Sequence, residues 1–250
     1  MERKLATVIM AAGKGTRMKN SEKAKVMFEV CEIPMIEHVV RLAYDVKSSR
    51  VVVIVGFKRE SVVDHVSKVA PGVEYAVQEP QLGTGHAIMQ TEHLLSEYDG
   101  DVLVLSGDVP LLQESTIDSL IAHHHASGAV ATILTADVDD PTGYGRVVRN
   151  GNGYVESIVE HRDASPEQLL VREINSGIYI FNSKLLYDAL HHITSHNAQN
   201  EYYLTDVFGY FWKHTMPVSA LKAQDHNEIR GINTIDQLSE AESVLTSRGQ

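Results

Sequence analysis

Apolar residues gather in short unbroken runs along the chain, and polar, glycine-bearing stretches separate them. Leu5–Met10, Val51–Val55, Val102–Leu105 and Ala129–Ala136 are runs of this kind, and Val73–Gln78 also reads as a strand. Val- and Ile-rich runs without alternation predict strands covered on both faces, as in a parallel sheet. The intervening segments have a different period. Met35–Val46 carries Met35, Val39, Leu42, Ala43 and Val46 at helical spacing, and Ser61–Val69, His86–Leu95 and Thr116–Ser127 also read as helices. Strands separated by helices of this length call for crossover connections and a sheet with helices on both faces.

The rhythm changes after residue 140. Gly145–Val148 and Tyr154–Val159 flank Asn150-Gly151-Asn152-Gly153, and this predicts a hairpin because Asn-Gly readily supplies the positive φ of a tight turn. Ile178–Phe181 reads as a further strand, and Lys184–His191 and Thr205–Thr215 as helices. Val218–Lys222 fits an edge strand. Ile235–Thr246 predicts a final helix, with Leu238, Ala241 and Leu245 at helical spacing, that ends near Gly249 and is free to protrude. The expected fold is one α/β unit over residues 1–234, with a mostly parallel sheet flanked by helices and a smaller hairpin lobe on the substrate side. The helix of 235–250 follows it.

Composition narrows the function. The 250 residues are 43% hydrophobic, enough for a sizeable core, and no apolar run approaches the roughly 20 residues that span a bilayer. The apolar stretch after Arg3-Lys4 ends at Gly13-Lys14, so it reads as a first strand and not as a secretion signal. The one cysteine, Cys31, excludes an intramolecular disulfide and fits a reducing compartment, with the cytoplasm as the expected address. The formal net charge is -11, yet residues 1–25 contain Arg3, Lys4, Lys14, Arg17, Lys19, Lys23 and Lys25 against Glu2 and Glu22. A basic cluster in an acidic chain points to a local anionic ligand, with neither nucleic acid nor membrane as partner. The sequence leaves the oligomeric state open.

Ligands of open parallel sheets bind beyond the carboxyl ends of the strands, which selects three loops. In the first, Ala11-Ala12-Gly13-Lys14-Gly15-Thr16-Arg17, two glycines allow a sharp turn whose N–H groups can face an anion. The spacing is neither a Walker loop nor a dinucleotide fingerprint, so a plain strand-to-helix turn is the alternative. In the second, Gln78 precedes Gly83-Thr84-Gly85-His86, and its amide can donate and accept at a base edge. In the third, Asp108 follows a buried strand on Gly107. It is placed either to hold a divalent cation, as Mg²⁺ sites use one or two protein oxygens plus phosphates and water, or to cap the turn before Pro110. His123-His124-His125 reads as a solvated helix face, because consecutive helical residues point apart.

Several blocks occur in order: Ala11–Met18, Lys25-Val26, Gln81-Leu-Gly-Thr-Gly-His-Ala87, Gly107-Asp-Val-Pro-Leu111, Asp140-Pro-Thr-Gly-Tyr-Gly-Arg146, Ile158-Val-Glu-His161, Glu173-Ile-Asn-Ser-Gly177 and Glu201-Tyr-Tyr-Leu-Thr-Asp206. Together they resemble the uridylyltransferase (pyrophosphorylase) domain of bacterial N-acetylglucosamine-1-phosphate uridylyltransferases, over nearly the whole chain to about Asn233. The resemblance implies a Rossmann-like fold of the nucleotide-diphospho-sugar transferase type, and UTP and a sugar-1-phosphate as substrates. It implies that Ala11, Ala12, Gly13, Lys14, Gly15, Gln78, Gly83 and Thr84 line the nucleotide, with Gln78 reading uracil. Arg17 and Lys25 would contact the triphosphate as catalytic residues, Asp108 and Asn233 would bind Mg²⁺, and Gly145, Glu160 and Asn175 would hold the sugar.

The chain departs from the family pattern in three ways. Ala24 replaces a customary proline, and one extra residue lies between Arg17 and Lys25, so that either Lys23 or Lys25 can be the active-site lysine. Asn200 stands where glycine is usual. The bifunctional members continue into an acetylating β-helix of hexapeptide repeats that this sequence lacks, and no acetyltransferase activity is expected of it. Another sugar-1-phosphate (glucosamine, galactosamine or glucose), another NTP, or a silent sugar-nucleotide binder are the competing readings.

Overall fold

The computed structural model describes residues 4–18 and 22–248. Arg3 and Lys19 of the basic cluster and Gly249, expected near the end of the last helix, lie outside these residues. In chain order the elements are β1 (Lys4–Ala11), β2 (Glu29–Val30), β3 (Ile33–Pro34), α1 (Met35–Asp45), β4 (Arg50–Val55), α2 (Arg59–Val69), β5 (Glu74–Val77), α3 (Thr84–Met89), α4 (Glu92–Leu95), β6 (Gly100–Ser106), α5 (Glu114–Ser127), β7 (Ala131–Asp137), β8 (Arg146–Arg149), β9 (Val155–Val159), α6 (Pro166–Leu169), β10 (Glu173–Asn182), α7 (Ser183–Leu190), α8 (Asp206–Lys213), β11 (Val218–Lys222) and α9 (Ile235–Ser247).

The main sheet runs in the order β11-β7-β10-β6-β1-β4-β5, with the β8–β9 hairpin attached through β10. β1 pairs in parallel with both β4 and β6, so Ala11, Val55 and Ser106 leave the sheet at one end. β10 runs antiparallel between β6 and β7, and β11 lies parallel to β7 at the edge. The sheet buries both faces. Ile9, Val53, Leu105 and Ile180 point into one apolar layer, and Val8, Val52, Val104 and Phe181 into the other. This two-sided burial is why the strands read as continuous apolar runs.

Three expectations need correction, and the hairpin is refined. The helix expected over His86–Leu95 is two short helices, α3 and α4. At the break, the fully buried Thr91 hydroxyl donates to the Ile88 carbonyl at 2.7 Å and meets Tyr187 Oη at 2.7 Å, which competes with the helical ladder. The hairpin turns on Asn150–Gly153 as expected, with Asn152-Gly153 as the Asn-Gly that supplies the positive φ. Asn150 Oδ1 accepts from the Asn152 and Tyr154 backbones, and Gly153 takes the positive φ, +82°. The three histidines do not share one solvated face: His125 is exposed and His123 half-buried, but His124 turns inward where α5 lies along β7, β10 and β11. His124 is 1% exposed, with Nδ1 2.8 Å from Thr132 Oγ1; His125 meets Asp101 at 3.1 Å, and His123 meets Ser219 at 2.6 Å. The last helix does not protrude. Ala241 and Leu245 pack with Val30, Met35, Leu111 and Ile232 in a third apolar cluster.

The layer beneath β6 and β10 is the most aromatic part of the core. Phe181 is fully buried, with ring centroids 5.4 Å from Tyr179, 5.5 Å from Phe208 and 6.4 Å from Phe211. Truncation there leaves a cavity that the rigid sheet cannot close. Phe181→Ala is expected to cost about 3–5 kcal/mol, measured as a lowered midpoint in denaturant unfolding with an unchanged slope.

Candidate active site

Two clefts meet above the carboxyl ends of the central strands. The first, of about 290 Å³, is lined by Ala11, Ala12, Gly13, Lys25, Gln78, Gln81, Gly83, Thr84, Asp108 and Glu201 among others. The second, of about 190 Å³, is lined by Gly143, Tyr144, Gly145, Glu160, Asn175, Ser176, Gly177, Tyr179 and Thr205 among others. Met10, Thr84 and Ser106 line both, so the clefts share a wall at the ends of β1 and β6 and the start of α3.

The wall of the first cleft follows from the sheet. Gln78 N donates to Val55 O at 2.9 Å and Gly107 N to Met10 O at 2.9 Å, continuing the ladder just past the strands. Gln78 is 4% exposed, and its amide nitrogen donates to the Gly83 carbonyl at 2.9 Å, which fixes the side chain in the cleft floor. Gln78 Nε2 also lies 3.3 Å from His86 Nδ1, and burial pushes the His86 imidazole below its ordinary value. The neutral ring can therefore accept from the amide.

Glycine is required at position 83, where φ is +107° and a Cβ would stand 2.9 Å from the Tyr202 nitrogen. This close approach docks residues 202–205 onto the loop. Tyr202 N donates to Leu82 O, Gly85 N to Tyr202 O, and Leu204 N to Thr84 Oγ1, at 2.8, 2.8 and 3.0 Å. The next residue reaches the second cleft, where Thr205 Oγ1 donates to Glu160 Oε1 at 3.2 Å. One short segment thus ties the two clefts together. Asn200, just before it, has φ +54°, the left-handed conformation that explains why glycine is customary there.

In the second cleft, the β10 ladder shifts register between Asn175 and Tyr179, and Gly177 takes φ +79°. Such irregularities re-aim side chains. Asn175 Nδ2 donates to Tyr179 Oη at 2.7 Å, and the Asn175 backbone donates to Gly145 O at 2.9 Å. A Cβ at Gly145 would be 3.5 Å from the Glu160 carboxylate, so these three residues face one small space. Burial raises the Glu160 pKa above the ordinary carboxylate value; the Thr205 hydroxyl opposes the rise, and Asp163 and Asp206 add to it.

At the wall of the first cleft lies a cluster of charged and polar groups. Lys25 Nζ contacts Asp108 Oδ2 and lies 2.6 Å from Asn233 Oδ1, and Arg17 Nη2 reaches the same Asn233 oxygen at 2.7 Å. Ile232 N donates to the Asp108 carbonyl at 2.9 Å and Asn233 N to Gln237 Oε1 at 2.7 Å, which holds the 231–233 turn beside Asp108. Gly15 (φ +60°) makes room for the Lys25 stem, because a Cβ there would collide with Lys25 Cβ. Asp108 and Asn233 offer one carboxylate and one amide oxygen, the donor chemistry of a hard divalent cation whose shell is completed by phosphate and water. Among the described residues, no three His, Cys, Asp or Glu side chains come together as a metal cage.

The expected site residues divide clearly. Ala11, Ala12, Gly13, Lys25, Gln78, Gly83, Thr84 and Asp108 line the first cleft, and Gly145, Glu160 and Asn175 the second. Arg17 and Asn233 line neither cleft but join Lys25 and Asp108 in the cluster. Lys14 is exposed and lines neither cleft, and Gly15 acts through Lys25. Lys23 points elsewhere, 3.3 Å from Glu29 and 5.2 Å from the Phe28 ring centroid. Cys31 lies outside both clefts. Ser106, Gln81, Glu201, Tyr144 and Thr205 were not singled out from the sequence. Ser106 could have been found from its place directly before Gly107-Asp108, and Glu201 and Thr205 from their shared block.

The chain can be set beside known proteins at this point. The profile of the nucleotidyl transferase family matches residues 6–239. A relative named bifunctional protein GlmU from Latilactobacillus sakei is 48% identical over 241 residues, 96% of this chain and 51% of the relative. Its namesake from Streptomyces coelicolor is 48% identical over 248 residues, 98% of this chain and 51% of the relative. The chain thus spans about half the length of these curated relatives. A solved UDP-glucose pyrophosphorylase, crystallised with UDP-glucose, superposes with a TM-score of 0.76 at 16% identity, covering 98% of this chain and 99% of that one; it shares the fold. With the profile spanning every strand of the main sheet and both clefts, the chain belongs to the nucleotidyl transferase family.

Proposed function

We propose that this chain transfers a uridylyl group from UTP to N-acetylglucosamine-1-phosphate, giving UDP-N-acetylglucosamine and pyrophosphate. The observation that carries this reading is the shared wall of the two clefts, since a reaction between two bound substrates needs a common border where the reacting atoms meet. The near-half identity to the GlmU relatives over most of the chain supports the choice of substrates. So does the pairing of a buried amide, Gln78, in the first cleft with a carboxylate and an amide, Glu160 and Asn175, in the second. In this reading Gln78 meets the uracil edge, and Glu160 and Asn175 take the sugar hydroxyls and acetamido group.

The chemistry asks little of the protein beyond placement. A sugar-phosphate oxygen attacks the α-phosphorus of UTP, and the bond to the β-phosphate bridging oxygen breaks as pyrophosphate leaves. A phosphate monoester, with a second pKa of about 6, is already largely dianionic at neutral pH, so the nucleophile needs no base. Lys25 and Arg17 counter the charge that gathers on the phosphates, and the Gly13 and Ala12 backbone gives the triphosphate a close approach. Asp108 and Asn233 would hold Mg²⁺, which when bound supplies Lewis-acid neutralisation of phosphate charge. These substrates are cytoplasmic metabolites, which makes the cytoplasm the compartment of this reading. Among the described residues, no helix is long and apolar enough to cross a membrane.

Pyrophosphate release across UTP, CTP, dTTP and GTP, each paired with a panel of sugar-1-phosphates, tests the assignment. The expected maximum is UTP with N-acetylglucosamine-1-phosphate; a maximum with glucose-1-phosphate, or no release from any pair, contradicts it. Asp108→Ala and Lys25→Ala are each expected to abolish most turnover, a loss of about 3 kcal/mol or more of transition-state stabilisation. Near-normal rates in either variant would remove that residue from the site. Glu160 gives a separate signature. Because its folded pKa is raised, its contribution to stability is present at low pH and is lost as pH rises from the ordinary carboxylate range through the folded value. Glu160→Gln is therefore expected to raise the melting temperature at neutral pH, with the gain vanishing in acid, while turnover falls at least tenfold. A variant less stable at neutral pH would contradict the burial argument.

A further inference from the structure

The Lys25 ammonium touches Asp108 Oδ2 and Asn233 Oδ1 at once, the second at 2.6 Å, and Arg17 adds a second cationic donor to the same Asn233 oxygen. A divalent metal held by both oxygens would lie about 2.1 Å from each, so it would claim the space between them that the ammonium fills. A lysine and a metal placed there compete for these two oxygens, and each repels the other. Nor is the lysine loosely held: its side chain is 13% exposed and that of Asp108 19%, so the pair is poorly screened by water. Its stem runs against Gly15, where any Cβ would collide with it, and this packing directs the ammonium to one place.

We propose that Lys25 is an internal competitor for the metal, so that this site binds a divalent cation weakly until a nucleoside triphosphate draws the ammonium away. This rests on Asp108 and Asn233 being the metal ligands, as in the function proposed above. The first cleft supplies the alternative partner. Lys25 lines it together with Gly13 and Ala12, so a triphosphate bound there offers phosphate oxygens to the same ammonium without moving the stem. Once Lys25 and Arg17 turn to phosphate, Asp108 and Asn233 are released to the cation. Metal and triphosphate binding are then positively coupled, and by linkage each raises the affinity of the other equally. Lys25 thereby has a role before the chemical step: it keeps the metal ligands compensated and ties metal entry to nucleotide entry.

The test is Mn²⁺ binding to the whole protein without sugar phosphate, followed through the electron paramagnetic resonance signal of free Mn²⁺. Without nucleotide, Lys25→Met and Lys25→Gln are expected to bind Mn²⁺ on the order of tenfold more tightly than wild type, since a cation has left the site. Lys25→Arg keeps the charge and should stay weak. A non-hydrolysable UTP analogue should tighten Mn²⁺ binding in wild type by a larger factor than in Lys25→Met. Equal or weaker Mn²⁺ binding by both neutral variants overturns the proposal while leaving the metal site standing. If Asp108→Asn leaves Mn²⁺ affinity unchanged in the wild-type and Lys25→Met backgrounds, the metal-site reading falls and the proposal falls with it.

Discussion

The contact between the Lys25 ammonium and the Asp108 carboxylate spans 83 residues of sequence, and the bond from Lys25 to Asn233 spans 208. Three distant segments therefore meet at one charge, and the rest of the structure holds them there. Gly15 clears the path of the lysine stem, the parallel pairing of β1 with β6 brings Asp108 beside the first loop, and the Ile232–Asp108 hydrogen bond clamps the 231–233 turn. An ion pair this poorly hydrated is costly to leave half-made, since removing one partner strands the other. The same charges that would grip a triphosphate thus order this side of the first cleft.

The topology explains how one sheet builds two adjoining clefts. Parallel strands β1, β4, β5 and β6 deliver their loops to one end, which builds the first cleft. The second cleft needs a strand of opposite sense. β10 enters antiparallel between β6 and β7, and its register shift turns Asn175 toward Gly145. Residues 202–205 then cross from the glycines at 83 and 85 to Glu160, so that a change in one cleft has a short covalent route to the other.

Much of this was legible in the residues, for physical reasons that differ from element to element. Leu5–Met10 and Val102–Leu105 could be read because a strand buried on both faces is apolar almost throughout, Thr7 being the one polar residue in them. Lys25 against Lys23 could not be decided by spacing, since what separates them is the room left by Gly15, a tertiary contact. β10 begins earlier than its apolar run, at Glu173, whose carboxylate is held by Arg149 and Thr135, and the polar Asn175 and Ser176 that interrupt it line the second cleft. The break at Thr91 and the burial of His124 were hidden for a related reason. Each side chain meets a partner on another element, Tyr187 and Thr132 respectively, and helical periodicity carries no trace of those contacts. Glu160, in contrast, was marked by its block, and its desolvation gives that mark a physical meaning.

The central claim is that the two clefts are the two halves of one nucleotide-sugar site, joined across Met10, Thr84 and Ser106. A crystal structure with UDP-N-acetylglucosamine and Mg²⁺ tests it most directly. The account requires the uracil against Gln78, the sugar among Gly145, Glu160 and Asn175, the diphosphate passing Ser106, and the metal between Asp108 and Asn233. A sugar bound outside the second cleft, or a uracil that makes no contact with Gln78, would contradict it.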